Sequence, residues 1–390
     1  MSSNLVSRLP LDQLLARLRP LLLVMPGLLK VFAAGVVLIN IRGWPFAWHF
    51  RIYLLAWSVR LRFLFVRIGL LLKSKEARRK AEDEWLEHLS PVGSNPFEWR
   101  RSFKTWAGPD DSDFNLHLSN SSYAKNLDMS RFSGSLSLNP TLYRVGGWVA
   151  LGATHFKYLR EIPMLSVYEM RSSIATWDSK WLYVITRYVT KPKEKDLKKQ
   201  RTVSPEQAPT PLTTDAPIPN LHTPATPGLV RDPADTPLKR LLAAAELLEE
   251  PDDATLHCIA ISECCFKIGR ITIPPSLVLA VEGFTAPPAI TELGKGVKFE
   301  PYSHANPPPH WEKVRALRTA HDLRPLQTFM KGGWKKVPED QRWWDLALKG
   351  VEGKRRANLE LIDGIHQGME GAKYVRPILV DGVRRRGSWQ

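Results

Sequence analysis

With 390 residues the chain can form one sizeable domain with appendages or two domains, and its formal net charge is +16. Much of that charge lies in residues 1–80, which hold 14 Lys and Arg but two acidic residues, interleaved with Leu, Phe and Trp. This pattern is typical of a membrane-surface segment. Since no zinc-finger, basic-zipper or aromatic RNA-binding signature appears, we expect no nucleic-acid partner. The cysteines show neither metal-site spacing nor a disulfide framework, so we expect a reducing compartment, no metal and no cofactor; they are Cys258, Cys264 and Cys265.

Residues 1–73 are predicted to be a membrane-associated segment. The apolar stretch over 20–41 offers about 20 residues for one imperfect span. The next stretch, 52–72, carries three arginines that would be costly in hydrocarbon, which favours an interfacial helix. We therefore expect membrane attachment through residues 20–72, with buried helices of a soluble domain as the alternative. Basic residues are denser after the span than before it. The positive-inside rule therefore places the C-terminal part in the cytosol, with the endoplasmic reticulum and the mitochondrial outer membrane as candidate membranes.

After residue 73 the sequence becomes charged and then strand-like. Residues 74–96 are predicted to be a charged helical spacer. Segments rich in β-branched and aromatic residues then predict strands, and the short turn 178–180 predicts a hairpin. The predicted strands are 99–106, 148–158, 166–177 and 181–190, and a helix is predicted over 121–138.

A Thr- and Pro-rich insertion over 191–253 interrupts this pattern. It has almost no aromatic residues and cannot bury enough apolar surface to offset its ordering entropy, so we expect disorder apart from a local helix over 236–250. Strand character resumes at 254–268 and 270–281. Without the insertion, 97–285 is predicted to be one domain with a first strand, a long helix and a run of antiparallel strands. That is an α+β architecture.

The tail, 286–390, is predicted to be a Pro-rich linker followed by helices over 338–350 and 354–369. Its tryptophans are expected to dock the tail on the main domain, and an aromatic partner-binding surface is the alternative. These residues are Trp334, Trp343 and Trp344.

The candidate chemistry lies in the stretch 113–123. A carboxylate, a carboxamide and an imidazole occupy alternating positions, which lie on one side of an extended backbone. These residues are Asp113, Asn115 and His117. N-cap chemistry follows at Asn120, Ser121 and Ser122, so the free amides of a helix start would point at the same place. Groups that converge in this way form a plausible acyl-transfer site.

This stretch resembles a segment of the hot-dog fold thioesterases. In that superfamily, Asp-x-x-x-His-Val-Asn-Asn-x-x-Tyr leads into the central helix, and here Asp113, His117, Asn120 and Tyr123 match it. The likeness is closest to thioesterase-superfamily-member-6-like proteins of the 4-hydroxybenzoyl-CoA thioesterase type. The Asp, Asn and His spacing is also similar to that of plant acyl carrier protein thioesterases. The first Asn of the family's pair is Ser119 here, so its hydrogen bond must come from a hydroxyl or be lost.

The resemblance implies an antiparallel sheet around a central helix, a homodimer, and a membrane-attached acyl-thioester hydrolase acting on fatty acyl-CoA. Asp113 would be the nucleophile or general base; alternatively it would cap the turn or pair with Arg131. Asn115 would orient the acyl group or water, or be a turn residue. His117 would act as a base near neutral pH, or hold the loop as a buried histidine.

Substrate contacts are expected at the start of the helix, where amides around Ser121–Tyr123 would stabilise the oxyanion. For Asn120 the alternative is the helix N-cap, and for Tyr123 a position in the core. The candidate contact residues are Asn120, Ser121, Ser122 and Tyr123.

A rival hypothesis is a catalytically inactive hot-dog module that binds acyl groups or acts as a scaffold at a membrane. It predicts acyl-CoA binding without turnover, whereas the hydrolase releases free thiol. A dehydratase of the same fold is less favoured, because the stretch lacks the His and Glu arrangement expected of one.

Overall fold

The computed structural model describes residues 26–191, 250, 252–286, 300–318 and 322–372. Their centre is a six-stranded antiparallel sheet in the order β1-β3-β4-β5-β2, with β6 paired to β5. The strands are β1 Arg100–Trp106, β2 Gly147–Tyr158, β3 Val167–Trp177, β4 Leu182–Thr190, β5 Thr255–Ile268 and β6 Ile271–Ile273.

Helices precede, cover and follow this sheet. The order confirms the α+β architecture, with one long helix between the first two strands. The helices are α1 26–39, α2 Ala47–Gly69, α3 Lys75–His88, α4 Asn120–Leu138, α5 Pro140–Arg144, α6 Pro275–Val281, α7 Trp311–Leu317, α8 Arg324–Met330, α9 Trp343–Ala347 and α10 Glu352–Ala372.

The hairpin between β3 and β4 forms where its turn residues predict it. Asp178 Oδ1 accepts hydrogen bonds from the amides of Lys180 and Trp181, both at 2.6 Å. This Asx-type turn reverses the chain and fixes the strand register, in which Trp177 lies opposite Leu182.

Helix α4 packs on the inner face of the sheet, and the space between them is divided. Apolar side chains form one cluster beneath the first half of α4 and another beneath its end. The first cluster includes Tyr123, Leu127, Met170 and Tyr188, and the second includes Leu138, Leu142, Leu182 and Phe266. Hydroxyl side chains lie between the two clusters; they belong to Ser130, Ser172, Thr186 and Ser262, all buried.

Two predictions after the insertion are wrong in detail. The strand expected over 270–281 ends at Ile273, since Pro274 and Pro275 cannot donate to a sheet ladder, and Pro275 begins α6 instead. The helix expected over 338–350 breaks into two 3-10 turns around α9, while the last predicted helix is present as α10. Most of the predicted disordered insertion, with its local helix, lies outside the described residues.

The N-terminal segment differs from the expected membrane span. Among the residues that the structure covers, no helix is both long and apolar enough to cross a membrane, so a single-pass span is not supported. The first part of that span, up to residue 25, is outside the described residues. The interfacial stretch forms α2, which contains no buried residue.

The tail docks on the main domain through its tryptophans, as predicted. Trp343 and Trp344 are 8% and 2% exposed, and α9 packs against α6. Buried Glu282, just after α6, accepts hydrogen bonds from the amides of Thr141 and Leu142 at 3.1 and 2.8 Å. Burial raises the pKa of Glu282 to about 7.

The core contact of α4 gives a stability prediction. Leu127 lies on the side of α4 that faces the sheet and is fully buried. Leu127→Ala removes apolar contacts and leaves a cavity, so it is expected to lower the free energy of unfolding by about 2–5 kcal/mol. Leu361, 81% exposed on α10, is the matched control, and Leu361→Ala is expected to change it by less than about 0.5 kcal/mol. Urea denaturation measures both values, and equal losses would contradict this packing.

Candidate active site

The segment 113–117 is a turn and not the extended chain that was predicted. Phe114 and Asn115 form the turn, Leu116 has φ 62°, and the Asp113 amide donates to the His117 carbonyl at 2.8 Å. The cause is local: Asp113 Oδ1 accepts the amides of Asn115 at 2.9 Å and His117 at 3.4 Å. An Asp side chain that bonds to the backbone two residues on favours a turn over a strand.

The turn brings Asp113 and His117 together and leaves Asn115 exposed. Asp113 does cap the turn, as one alternative had it. The other alternative, a pair with Arg131, is wrong because the Arg131 guanidinium binds Asp128. His117 is half-buried, and its Nε2 lies 3.2 Å from a carboxylate oxygen of Glu161.

A second segment, 161–165, braces this loop from the side. The Leu118 amide donates to the Ile162 carbonyl, and the Met164 amide donates to the Leu116 carbonyl, both at 2.8 Å. These bonds hold the two loops in fixed register, so the position of His117 depends on the connection between β2 and β3.

His257 on β5 anchors the same segment. Its Nδ1 donates to the Glu161 carbonyl at 2.9 Å, and its Nε2 lies 2.8 Å from the Thr190 hydroxyl. Burial lowers the pKa of His257, so the neutral ring, which donates at one nitrogen and accepts at the other, fits both contacts. Glu161 and His257 were missed by the sequence interpretation, because neither lies in a motif and both reach the site through strand order.

The helix start also differs from the prediction. Ser119, and not Asn120, occupies the N-cap of α4. The amides of Ser122 and Tyr123 donate to the Ser119 carbonyl at 2.9 and 3.3 Å, so two of the three amides expected at an oxyanion are already used. The first amides of a helix have no partner within it, and at this helix start these are the amides of Asn120 and Ser121.

Two of the four predicted substrate-contact residues are exposed, and the other two are buried. Asn120 and Ser121 are exposed, whereas Ser122 is buried. Tyr123 is 2% exposed and packs against Tyr158 and Tyr188, and burial raises its pKa. Tyr123 is therefore a core residue, as its alternative had it.

A cavity of about 200 Å³ lies further along α4, between the helix and the sheet. None of the seven predicted site residues lines it. Ser130, one of its lining residues, is ten residues past Asn120, which is about 15 Å along a helix. Its apolar lining includes Trp99, Leu138, Val149, Leu151, Leu182, Val184 and Phe266.

The cavity also has polar lining groups. One of them is hydrogen-bonded to the sheet, and two others have no hydrogen-bond partner. Arg131 Nη1 donates to the hydroxyls of Thr154 at 2.8 Å and Ser262 at 3.2 Å. The hydroxyl of Ser130 and the side-chain oxygen of Asn139 are buried and have no hydrogen-bond partner among the described residues. Apolar walls with a few fixed polar groups are typical of small-molecule sites.

Residues 107–204 match the family model of the thioesterase-like superfamily. The matched residues make up about a quarter of the chain, and over them it is similar to the thioesterase-like superfamily. The match confirms the resemblance found in the sequence and covers the loop 113–117, α4 and strands β2 to β4.

Curated relatives are similar in sequence to a limited part of the chain. A probable thioesterase of Saccharomyces cerevisiae is 34% identical over 96 residues, covering 23% of this chain and 40% of the relative. A thioesterase of Penicillium oxalicum is 36% identical over 95 residues, covering 20% and 31%. Protein THEM6 of Danio rerio is 30% identical over 83 residues, covering 21% and 41%. The chain thus spans less than half the length of each of these relatives.

Solved structures found in the comparison include a probable thioesterase from Escherichia coli. It is 8% identical, covers 47% of this chain and 95% of its own, and has a TM-score of 0.29. A mutant 4-hydroxybenzoyl-CoA thioesterase complexed with its CoA ester is 10% identical, with coverage of 46% and 96% and a TM-score of 0.28.

Two substitutions at Asp113 separate its structural role in the turn from a chemical role. Asp113→Ala removes the acceptor of two backbone amides and is expected to lower the free energy of unfolding by about 1 kcal/mol. Asp113→Asn keeps an oxygen at the same position and is expected to leave stability nearly unchanged. Urea denaturation of both variants, with Asp340→Ala at an exposed position as control, measures the difference. Equal free energies of unfolding for the Ala and Asn variants would contradict the capping role of Asp113.

Proposed function

We propose that the chain is an acyl-thioester hydrolase whose catalytic carboxylate is Asp113. One observation carries the proposal. A single loop holds Asp113 and His117 together directly before the N-terminus of α4, inside the segment that matches the thioesterase-like superfamily. A carboxylate, an imidazole and free helix amides are groups suited to the hydrolysis of a thioester.

In the proposed reaction Asp113 acts through Oδ2, because Oδ1 binds the loop amides. As general base, Oδ2 takes a proton from water while the water oxygen attacks the thioester carbonyl carbon. The amides of Asn120 and Ser121 stabilise the resulting oxyanion. The carbon–sulfur bond then breaks, and the thiolate takes a proton from Asp113 or His117. As nucleophile, Oδ2 instead attacks the carbonyl carbon, the carbon–sulfur bond breaks, and the departing thiolate takes a proton from His117; water then hydrolyses the resulting mixed anhydride to the free acid and the Asp113 carboxylate.

The acyl group is proposed to occupy the cavity between α4 and the sheet. A water molecule takes up roughly 30 Å³ in the liquid, and a methylene group is of similar size. A cavity of about 200 Å³ therefore holds about six or seven heavy atoms. This volume narrows the proposed substrate from fatty acyl-CoA in general to acyl-CoA with a chain of about six carbons.

A homodimer would bring this cavity to the catalytic loop of a second copy. Strand β2 is an edge of the sheet, and its Leu151 and Tyr158 are 48% and 41% exposed. Tyr158 donates to the Asn120 carbonyl at 3.4 Å, so the helix start lies at one end of β2, whereas Leu151 and Val149 line the cavity towards the other end. When β2 pairs antiparallel with β2 of a second copy about a two-fold axis, the end of one strand lies beside the beginning of the other. Each catalytic loop would then face the other copy's cavity.

A catalytically inactive acyl-binding module is the second candidate. The capping role of Asp113 favours it, because two backbone hydrogen bonds account for a carboxylate at this position without any chemistry. Both functions predict that the protein binds acyl-CoA, but only the hydrolase releases free thiol from it.

Turnover of acyl-CoA tests the hydrolase. Purified protein is expected to release free thiol from hexanoyl-CoA faster than from palmitoyl-CoA. Asp113→Asn is expected to slow release at least 100-fold, about 2.7 kcal/mol of transition-state stabilisation, while stability stays unchanged. Asp340→Asn, at an exposed acid, is the control. Acyl-CoA binding without thiol release in the wild type would favour the inactive module.

Complementation tests the shared site. Val184→Phe is expected to fill the cavity and to abolish turnover, as Asp113→Asn does. When the two variants are unfolded and refolded together, one intact site forms in each mixed dimer, so about one quarter of wild-type activity is expected from random pairing. Activity that stays at the level of the separate variants would place loop and cavity in one protomer.

Membrane attachment is proposed to be interfacial, through α2. Apolar side chains recur on its exposed side at helical spacing, and four arginines with no acidic residue lie on the same helix. The exposed apolar residues are Phe50, Tyr53, Leu54, Trp57, Leu61, Leu64, Phe65 and Ile68. An apolar stripe flanked by arginines matches an anionic lipid surface. The proposed location is the cytosolic face of the endoplasmic reticulum or of the mitochondrial outer membrane.

Vesicle binding tests this face. Replacing Trp57 and Leu61 by Glu places charges on the exposed stripe, and is expected to lower the fraction bound to phosphatidylserine-containing vesicles at least tenfold. Leu361→Glu, at an exposed apolar residue of α10, is the control and is expected to bind as the wild type does. Unchanged sedimentation of the double variant with vesicles would exclude α2 as the lipid-binding face.

A further inference from the structure

One wall of the cavity between α4 and the sheet is formed where α4 passes into α5. Leu138, Asn139 and Tyr143 line the cavity from this junction. All three lie inside the superfamily match, which ends at residue 204. The side chains that hold the junction in place come from outside the match.

Glu282, just after α6, holds the beginning of α5. Its side chain is completely buried, and its two carboxylate oxygens accept the amides of Thr141 and Leu142. The first amides of a helix have no partner within it, so this carboxylate satisfies two of them. A glutamine here would keep one acceptor and turn an N–H group towards the other amide.

Two residues of the tail hold the same segment at other points. Gln327 on α8 donates from Nε2 to the Val145 carbonyl at 2.9 Å, just past the end of α5. Arg318, just after α7, donates to the hydroxyls of Thr141 and Ser90, the latter at 3.4 Å. Helix α5 is therefore held at both ends by residues far along the chain.

On its other side, α5 packs closely against the start of β2. A Cβ atom at Gly147 would lie 2.3 Å from Leu142 Cδ1. Leu142 and Val145 are 0% and 1% exposed and belong to the same apolar cluster as Val314 and Leu326 of the tail. The position of α5 is therefore fixed between the sheet and the tail.

Tyr143 carries this position over to the surface of the cavity. Its hydroxyl lies 2.7 Å from the Ser135 hydroxyl on α4, and its ring packs edge-on against Phe132. All three side chains line the cavity. A shift of α5 would therefore move part of the cavity wall.

We propose that Glu282 and Gln327 are positioning residues that limit the acyl-chain length the cavity accepts, because they hold α5 against it. The proposal rests on the proposed function, which places the acyl group in this cavity. A wall held in this way does not retreat for a longer chain, and in an apolar pocket one methylene group changes discrimination by roughly 10- to 200-fold.

Binding of acyl-CoA with two chain lengths tests the proposal. The full chain with Asp113→Asn, in which turnover is slowed, is titrated calorimetrically with hexanoyl-CoA and decanoyl-CoA. We expect hexanoyl-CoA to bind at least tenfold more tightly. Adding Gln327→Leu, which removes the donor to Val145, is expected to reduce this ratio at least threefold, on the order of what one hydrogen bond contributes. Gln341→Leu, at an exposed glutamine of the tail, is the matched control and is expected to leave the ratio unchanged.

Thermal unfolding shows whether each variant is folded, and Glu282→Gln replaces Gln327→Leu if the latter is not. Three results would overturn the proposal: equal affinity of the Asp113→Asn protein for both esters, an unchanged ratio in the folded variant, or a loss of affinity by the same factor for both esters. The last result would show a general loosening of the fold. Because these titrations do not depend on turnover, a failure of the hydrolase, seen as no thiol release from the wild type, is distinguished from a failure of this proposal.

Discussion

The arrangement of this domain depends on how closely α4 can approach the sheet. Small residues on the helix permit that approach: a side chain at Gly134 would meet the ring of Trp99 at 3.2 Å. The hydroxyls of Ser130, Ser172 and Ser262 fill the middle of the interface, so apolar packing is confined to its two ends. The first end is solidly packed around Tyr123, and the second contains the cavity. The polar middle layer thus lies between the solidly packed end and the end that contains the cavity.

The same sheet fixes the candidate catalytic loop. Backbone hydrogen bonds join it to the connection between β2 and β3, and His257 on β5 holds that connection. Because three separate parts of the chain meet here, the position of the loop with Asp113 and His117 relative to the sheet is set by strand order and register. The loop itself carries strain at Leu116, a non-glycine residue with positive φ, which these bonds maintain.

The tail completes the body of the protein beyond the superfamily match. Helix α10 covers the part of β3 that β1 leaves unpaired, where Asn358 and Arg355 donate to the carbonyls of Ala175 and Trp177, both at 2.7 Å. Unpaired strand edges invite association with other chains, so this covering satisfies carbonyls and protects the edge.

The sequence by itself determined the strands β1 to β5, the hairpin and α4, because periodicity and turn chemistry act over a few neighbouring residues. It also located the loop around Asp113. Only the tertiary structure decided that Arg131 faces a cavity and that Glu161 reaches His117. Those features join residues far apart in the chain, and the energy of such contacts exists only once the sheet has set their distances.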